Sequence, residues 1–285
     1  MVKKILTILE VIEKSSEYLK KKGVPSAKCD VEWIVSSVLK RPRMELFLNY
    51  EEVLPQKPLD QIRQLVLSRG KRVPLQHLLG TVQFGGLSLI SDSRALIPRP
   101  ETERLVEVLV NRLSESFKGS IFDLGTGSGA IVLSLCHSLP NSKGFGLEKC
   151  KRALSLANEN ILHCKMENRV KALHYDWEVD KLPEIEIGLI VSNPPYLDIT
   201  EWESAETEVK QYDPLGALVS KNQGTFDFLQ IINLASAKLS KGGILALEFG
   251  ASHADVALNA MKVLFDVEIL KDYNQCRRYA FGTKR

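Results

Sequence analysis

Apolar residues in the first 70 positions recur at the i, i+3, i+4 spacing of helices that bury one face. One such segment runs from Ser26, a residue type favoured at helix N-caps, to Leu39. A second segment follows Pro58 and stops at Gly70. The pattern predicts a helical domain over residues 1–73, and this domain contains no group of residues typical of a catalytic site.

The pattern changes over residues 74–98. Gln83–Ile90 is typical of two short strands around a Gly-Gly turn, which predicts a β-hairpin linker. Two prolines follow the hairpin. Because proline cannot continue a helix, we expect the next helix to start at Glu101 or Thr102.

From about residue 104 onward, short apolar runs alternate with segments of helical spacing. This alternation is typical of a parallel sheet covered by helices on both faces. The predicted strands are Ser120–Leu124, Gly144–Leu147, Val170–Leu173, Ile187–Val191, Ile244–Leu247, Val267–Leu270 and Arg278–Phe281. We expect an α/β domain over residues 99–285, in which the last two strands form an antiparallel edge.

Composition excludes several classes of protein. The chain has 285 residues, of which 44% are hydrophobic and 26% charged, and this balance excludes a disordered or fibrous chain. No apolar run reaches the roughly 18 residues that a membrane helix needs, and Glu10 interrupts the N-terminal run that a secretory signal would require. The five scattered cysteines argue against a disulfide framework and a structural zinc site. We expect a cytoplasmic protein without a metal centre.

Charge is unevenly distributed, although the net charge is only +3. Residues 1–80 carry 15 Lys and Arg against nine Asp and Glu, whereas the remainder carries 23 against 26. A basic domain favours an acidic or nucleic-acid-bearing partner, but an ordinary solvated helical surface explains the excess equally well. The charge therefore suggests a partner without identifying it.

A glycine-rich loop, formed by Gly125, Thr126, Gly127, Ser128 and Gly129, follows the first predicted strand of the sheet. Glycines allow backbone amides to approach a ligand closely, and the helix N-terminus that follows favours polar or anionic groups. The loop also satisfies the GxGxxA form of the dinucleotide fingerprint. Binding of NAD, binding of another nucleotide and a tight turn that binds nothing all stay open.

Glu148 ends the next predicted strand, 19 residues after Gly129. An acidic residue at this place can accept hydrogen bonds from ribose hydroxyls. Together with the glycine loop, Glu148 favours a cofactor that contains adenosine, without saying which one.

The most specific motif is Asn193-Pro194-Pro195-Tyr196, at the end of the fourth strand. Ligands of open α/β sheets bind at the carboxyl ends of strands, so we expect this tetrad to face the same crevice as the glycine loop. The Asn193 side-chain oxygen and the Pro194 carbonyl can each accept one N–H of a planar NH₂ group, on which Tyr196 can stack. The alternative is a rigid Pro-Pro turn without a ligand.

With these motifs, residues 120–250 resemble a class I S-adenosylmethionine-dependent methyltransferase. The tetrad is similar to that of enzymes that methylate planar nitrogens, which include adenine-N6 nucleic-acid methyltransferases and protein-glutamine methyltransferases. Three further segments make nearly the whole chain resemble the HemK/PrmC family, the release factor glutamine methyltransferases. These segments are Pro74–Gly80, Leu96–Glu103 and Val209–Leu218.

The resemblance implies a Rossmann-like sheet of seven strands with the last strand antiparallel. It also implies roles for particular residues. Gly125–Gly129 would line the methionine part of S-adenosylmethionine, and Glu148, where the family more often has Asp, would hold the ribose. Asp176 and Trp177 would contact the adenine. Asn193–Tyr196 would bind the substrate glutamine, with Asn193 also beside the cofactor.

The implied activity is methylation of the glutamine side-chain amide in the Gly-Gly-Gln motif of class I peptide chain release factors, which leaves S-adenosylhomocysteine. No metal and no covalent intermediate would take part, and the N-terminal domain would bind the protein substrate. The expected enzyme is a monomer that binds neither membranes nor, stably, nucleic acid. The alternatives are a ribosomal-protein glutamine methyltransferase, an adenine-N6 methyltransferase of nucleic acid, and a non-catalytic RNA- or ribosome-binding protein.

Overall fold

The structure is a computed structural model that describes residues 6–183 and 185–285. It divides into two compact units, with the boundary between Gly80 and Thr81. This boundary cuts the predicted linker, because Leu75–Leu79 form a short helix of the first unit and the hairpin belongs to the second. Among the described residues, no helix is both long enough and apolar enough to span a membrane.

The first unit is helical, as predicted. Its helices are α1 (Ile8–Lys21), α2 (Ala27–Leu39), α3 (Arg43–Leu48), α4 (Gln56–Gly70) and α5 (Leu75–Leu79). Helix α1 begins with a reciprocal capping box between Thr7 and Glu10. Ser26 is the N-cap residue of α2, but its side chain makes no capping hydrogen bond. A buried ion pair between Asp30 and Arg69 (2.7 Å) joins α2 to α4.

The second unit begins with the hairpin and continues as an alternation of helices and strands. Its strands are β1 (Thr81–Phe84), β2 (Leu87–Ile90), β3 (Ser120–Leu124), β4 (Lys143–Glu148), β5 (Val170–His174), β6 (Ile187–Ser192), β7 (Leu239–Glu248), β8 (Phe265–Lys271) and β9 (Arg277–Lys284). Its helices are α6 (Pro100–Leu113), α7 (Ala130–Ser138), α8 (Lys151–His163), α9 (Ile199–Ser204), α10 (Thr207–Tyr212), α11 (Lys221–Gly224), α12 (Phe226–Lys238) and α13 (Ala254–Met261), with 3₁₀ turns at Leu215–Ala217 and Ala251–His253.

Seven of these strands form one sheet in the order β5-β4-β3-β6-β7-β9-β8. All neighbouring pairs are parallel except those of β9, which runs antiparallel to both β7 and β8. The predicted seven-stranded fold with an antiparallel last strand is therefore confirmed. The last two strands form the predicted antiparallel edge, in which β8 is outermost and β9 lies between β7 and β8. The strand order reverses between β3 and β6, which is where open α/β sheets bind ligands.

The two faces of the sheet are covered by separate hydrophobic cores. Successive residues of a strand point to opposite faces, so Ile121 packs into one core and Phe122 into the other. Helices α6, α7 and α8 cover the first core, and α12 and α13 cover the second. Helix α6 starts at Pro100, earlier than predicted, because the missing N–H of proline costs nothing in the first turn of a helix.

Candidate functional site

The glycine loop and the Asn-Pro-Pro-Tyr tetrad follow the adjacent central strands β3 and β6. The hydroxyl of Ser192 donates a hydrogen bond of 2.5 Å to the Leu124 carbonyl and so joins the two strand ends. A cavity of ≈ 440 Å³ opens at this end of the sheet. The predicted residues that line it are Gly125, Gly127, Glu148, Trp177, Asn193 and Pro195.

The backbone of the glycine loop repeatedly enters the left-handed region. Gly125, Gly127 and Gly129 have φ of 74°, 57° and 85°. Residues with a Cβ rarely adopt these angles, so glycine is required for the path that the loop takes along the cavity. Gly125 also lies against the Trp177 ring, which a Cβ at position 125 would meet at 3.5 Å.

The other predicted loop residues do not line the cavity. The Thr126 hydroxyl donates to Asp123 Oδ2 (2.5 Å), and the Ser128 carbonyl accepts from Asn160 Nδ2 (2.9 Å). Gly129 is the N-cap residue of α7. Thr126, Ser128 and Gly129 hold the backbone of the loop in place. Of the five loop residues, Gly125 and Gly127 line the cavity.

Asp123 supports the glycine loop from the interior of the protein. Its side chain is fully buried and accepts hydrogen bonds from Thr126 Oγ1 and from the backbone N–H of Val132 (3.3 Å). Its Oδ1 has no hydrogen-bond partner among the described residues. Burial raises the pKa of Asp123 to about 7; the two hydrogen bonds oppose this rise, and the negative charge of Glu148 adds to it.

Glu148 is joined to the glycine loop directly. Its Oε2 accepts the backbone N–H of Gly127 (2.9 Å), and its Oε1 accepts that of Cys150 (2.8 Å). A carboxylate oxygen has two lone pairs, so each oxygen can accept one further hydrogen bond at the cavity wall. The donors that suit such a pair of acceptors are two neighbouring hydroxyls, as on a ribose.

Of the predicted pair Asp176 and Trp177, only Trp177 lines the cavity. The Trp177 indole N–H donates to Asp227 Oδ1 (3.2 Å) at the start of α12, which fixes the plane of the ring. Asp176 instead lies 2.7 Å from Lys149 Nζ, measured from its Oδ2. No sequence pattern indicated Asp227, because it lies 50 positions from Trp177 in the first turn of a helix.

Asn193 lies between the large cavity and a second cavity of ≈ 60 Å³, and it lines both. Pro194 and Tyr196 line only the small cavity. The side-chain Nδ2 of Asn193 donates to Thr102 Oγ1 (3.0 Å). Within residues 6–183 and 185–285, no group donates a hydrogen bond to Asn193 Oδ1 or to the Pro194 carbonyl. Two acceptors of the tetrad are therefore available to a ligand.

Tyr196 is held by the segment that precedes α11. Its backbone N–H donates to the Leu218 carbonyl (3.2 Å), as does the N–H of Leu197 (2.9 Å). Burial and the negative charge of Glu248 raise the pKa of Tyr196 to about 12, so its phenol is neutral at physiological pH. The residue can contribute an aromatic face and a hydroxyl group, but no charge.

The short element α11 is not a regular helix, because it contains a left-handed turn that contacts Tyr196 of the tetrad. Asn222, Gln223 and Gly224 have φ of 53°, 56° and 79° in succession. The Gln223 carbonyl lies 2.9 Å from His253 Nε2, and a Cβ at Gly224 would overlap the Tyr196 carbonyl oxygen. No sequence pattern predicted this turn, since only one of its three residues is glycine.

The reversal of strand order, the glycine loop and the tetrad together define a class I methyltransferase. Residues 10–80 match the family described as PrmC N-terminal domain, and residues 102–209 match the Methyltransferase small domain. The chain belongs to the family of release factor glutamine methyltransferases, which confirms the resemblance to the HemK/PrmC family seen in its sequence. No group of three or more His, Cys, Asp or Glu in the described part of the chain is arranged to hold a metal ion.

Two relatives illustrate the membership. The release factor glutamine methyltransferase of Fusobacterium nucleatum is 37% identical over 284 residues, which cover 97% of this chain and 78% of the relative. The release factor glutamine methyltransferase of Escherichia coli K12 is 34% identical over 259 residues, which cover 90% of this chain and 92% of the relative. Among solved structures, the Thermus thermophilus 16S rRNA N2 G1207 methyltransferase is similar with a TM-score of 0.51 and 20% identity, over 72% of this chain and 50% of that one. At this identity the similarity concerns the fold alone.

Proposed function

We propose that this protein methylates the side-chain amide nitrogen of the glutamine in a Gly-Gly-Gln motif of class I peptide chain release factors. S-adenosylmethionine is the methyl donor, and S-adenosylhomocysteine is the product. The observation that carries the proposal is the position of Asn193, which lines both the large and the small cavity. A donor in the large cavity and an amide in the small one would meet at this residue.

The large cavity fits S-adenosylmethionine in size and chemistry. A volume of ≈ 440 Å³ lies in the range of small-molecule sites. Glu148 has two lone pairs for ribose hydroxyls, Trp177 offers an aromatic face for adenine, and the glycines allow the amino-acid part to approach the backbone. When bound there, S-adenosylmethionine supplies a methyl group made electrophilic by its sulfonium charge.

The tetrad orients the nucleophile. An amide nitrogen is a weak nucleophile, because its lone pair is delocalised into the carbonyl, so alignment with the methyl group is the main requirement. Asn193 Oδ1 and the Pro194 carbonyl each accept one N–H of the substrate NH₂. As methyl transfer makes the nitrogen more positive, these two acceptors stabilise the developing charge. Tyr196 covers the amide and excludes water, while Pro195 lines the large cavity on the cofactor side.

The identity of the substrate is supported by the small cavity and by the names of the relatives. A flipped adenine presents the same planar NH₂ and is the substrate of the competing proposal. The cavity of ≈ 60 Å³ suits the terminal amide of glutamine better than a purine ring. The relatives named above are both release factor glutamine methyltransferases.

The decisive experiment measures transfer of labelled methyl from S-adenosylmethionine to three substrates. They are a purified release factor, the same factor with Gly-Gly-Gln changed to Gly-Gly-Ala, and a DNA duplex that contains adenine. We expect label on the intact factor alone, mapped by mass spectrometry to the glutamine. Label on the duplex or on the altered factor would contradict the proposal.

A further inference from the structure

Thr102 connects Asn193 to a buried carboxylate. Its hydroxyl accepts from Asn193 Nδ2 (3.0 Å) and donates to Glu248 Oε2 (2.8 Å). The three residues come from the start of α6, the end of β6 and the end of β7, and both Thr102 and Glu248 are buried. No role follows for Glu248 from the motifs of the sequence, and it does not line either cavity.

The direction of these hydrogen bonds follows from the chemistry of the groups. An ionised carboxylate can only accept, so the single hydroxyl proton of Thr102 points to Glu248. The hydroxyl oxygen is then left as an acceptor toward Asn193, and only the NH₂ of Asn193 can donate to it. The amide is thereby fixed with Oδ1 turned away from Thr102. Shape alone does not distinguish the oxygen of an amide from its nitrogen. For Asn193 the orientation is set by the charge of Glu248, which lies two hydrogen bonds away through Thr102.

We propose that Glu248 is a positioning residue, which acts through Thr102 to keep the side-chain oxygen of Asn193 directed at the substrate NH₂. This inference rests on the proposed function, in which Asn193 Oδ1 accepts from the substrate. A protonated Glu248 can donate to Thr102 instead, and Thr102 can then donate to Asn193 Oδ1. To accept this hydrogen bond, the Asn193 amide rotates by half a turn, so that its NH₂ group faces the NH₂ group of the substrate. Because both groups are donors, no hydrogen bond can form between them. Methyl transfer therefore requires the ionised carboxylate.

The surroundings of Glu248 bring this change into an accessible pH range. Burial raises the pKa of Glu248 to about 7, while the Thr102 hydrogen bond and the charge of Arg278 oppose the rise. The negative charges of Glu101 and Asp272 add to it.

Arg278, Asp272 and two tyrosines beside this carboxyl keep a constant charge through the same range, since the pKa of Arg278 is raised and that of Asp272 is lowered. Arg278 stays paired with Asp272 (2.7 Å) on the β9 side. The phenols of Tyr196 and Tyr279 are neutral, because burial, together with the charge of Glu248, raises the pKa of both groups.

The test compares rate–pH profiles between pH 5.5 and 9 at saturating S-adenosylmethionine and release factor. For the unmodified protein we expect kcat to rise with pH through an inflection near the pKa of Glu248. Glu248→Gln removes the titrating group, so its kcat is lower and independent of pH in this range. Thr102→Val, which has the same shape without the hydroxyl, lowers kcat at least tenfold, and Thr102→Ser restores it.

Glu107→Gln, on the exposed side of the same helix, serves as the matched control and keeps the unmodified profile. The Kd of S-adenosylmethionine stays unchanged in all variants, because none of the three positions lines the large cavity. If the inflection persists in Glu248→Gln, the titrating group lies elsewhere, such as Asp123 behind the glycine loop, and the inference is wrong. Circular dichroism establishes that each variant is folded.

A second readout needs no activity. In the unliganded protein, the side-chain ¹H–¹⁵N resonances of Asn193 should shift with pH, and Glu248→Gln should abolish the shift. If they do so while release factor is not methylated, the proposed function fails, whereas the control of the Asn193 amide by Glu248 stands. If release factor is methylated but neither the resonances nor the rate profile responds to Glu248→Gln, the inference fails and the proposed function stands.

Discussion

Arg99 and Asp213 lie 114 positions apart in the sequence and form an ion pair, with Arg99 Nη2 2.5 Å from Asp213 Oδ2. The side chain of Asp213 is 2% exposed and that of Arg99 is 38% exposed. Burial raises the pKa of Asp213, and the charge of Arg99 opposes this rise. Arg99 lines the small cavity beside Asn193 and Tyr196, so the pair fastens the start of α6 to the segment after α10 at the proposed glutamine site.

Arg99→Ala should lower both stability and activity. It leaves a buried carboxylate without its partner, and because Arg99 is partly exposed we expect a loss of about 1–3 kcal/mol rather than that of a fully buried pair. The kcat/KM for release factor should fall, since the wall of the small cavity loosens, while the Kd of S-adenosylmethionine stays constant. Urea unfolding, kinetics and calorimetry measure the three quantities.

The control for this prediction is Arg104→Ala, which removes an exposed ion pair with Glu107 on the same helix. Surface pairs of this kind contribute about 0–1 kcal/mol. Equal losses in the free energy of unfolding of Arg99→Ala and Arg104→Ala would show that the pair with Asp213 stabilises the protein no more than an exposed ion pair does.

Asn193→Ala should separate turnover from cofactor binding. It removes one of the two acceptors proposed for the substrate NH₂, and loss of one such group typically costs about 100-fold or more in kcat. S-adenosylmethionine should bind with an affinity weakened at most slightly, as measured by calorimetry. Asn158→Ala, on the exposed surface of α8, is the control and should change neither quantity. Turnover that is unaltered in Asn193→Ala would refute the proposed mechanism.

Gly127→Ala should weaken cofactor binding without preventing folding. The nearest atom to a Cβ at this position is Ala95 Cβ at 4.0 Å, so there is space, but the φ of 57° costs an L-residue about 1–2 kcal/mol. The methyl group would also intrude into the large cavity, and we expect the Kd of S-adenosylmethionine to rise at least tenfold. Isothermal titration and thermal unfolding give the two values.

Gly216→Ala is the matched control, because Gly216 lines the same cavity, has no positive φ and has nothing within 4 Å of its Cβ position. Alanine there should leave stability equal or slightly higher, since it restricts the unfolded chain. An equal loss of affinity in both variants would mean that the loop geometry is not what the cofactor requires.

Stability should decrease between pH 5 and pH 8, in part because of Asp123. Its pKa in the folded protein, about 7, lies above the value near 4 of an unfolded chain. Between these two values the folded state binds more protons than the unfolded state, so the free energy of unfolding falls as pH rises. Each unit of difference in pKa corresponds to about 1.4 kcal/mol.

Asp123→Asn keeps an acceptor for Thr126 but cannot ionise, so the decrease with pH should become smaller. Denaturant unfolding at pH 5 and pH 8 gives the slope for each protein. Asp255→Asn is the control, because Asp255 is exposed and its hydrogen bond with Arg277 lowers its pKa. Identical slopes in Asp123→Asn and the unmodified protein would exclude Asp123 as a titrating group.

The elements that could be predicted from the sequence are those that depend on residues close to one another along the chain. The buried strands, for instance Ser120–Leu124, are short continuous apolar runs, and α2 and α4 have an apolar face at helical spacing. The glycine loop and the tetrad are likewise contiguous, and parallel strands bring their carboxyl ends to one edge of the sheet. Their meeting at one crevice could therefore be predicted.

The contacts that complete the site have no local cause. Asp227 is joined to Trp177 across 50 positions, and Glu248 to Thr102 across 146, so no spacing rule connects them. The antiparallel edge formed by the last two strands was predicted, but their order within it was not, since an apolar run predicts a strand and not its neighbours. Residue type alone also could not separate Trp177, which lines the cavity, from the adjacent Asp176, which pairs with a lysine.

The place of β9 has a consequence for how the end of the sheet is attached. This strand is paired on both sides, with β7 and with β8. In the described sheet β8 pairs with β9 alone, so the whole β8–β9 hairpin is joined to the other strands through the ladder between β7 and β9. That ladder ends at the pair Glu248 and Tyr279. Detachment of the hairpin would therefore open one side of the strand that carries Glu248.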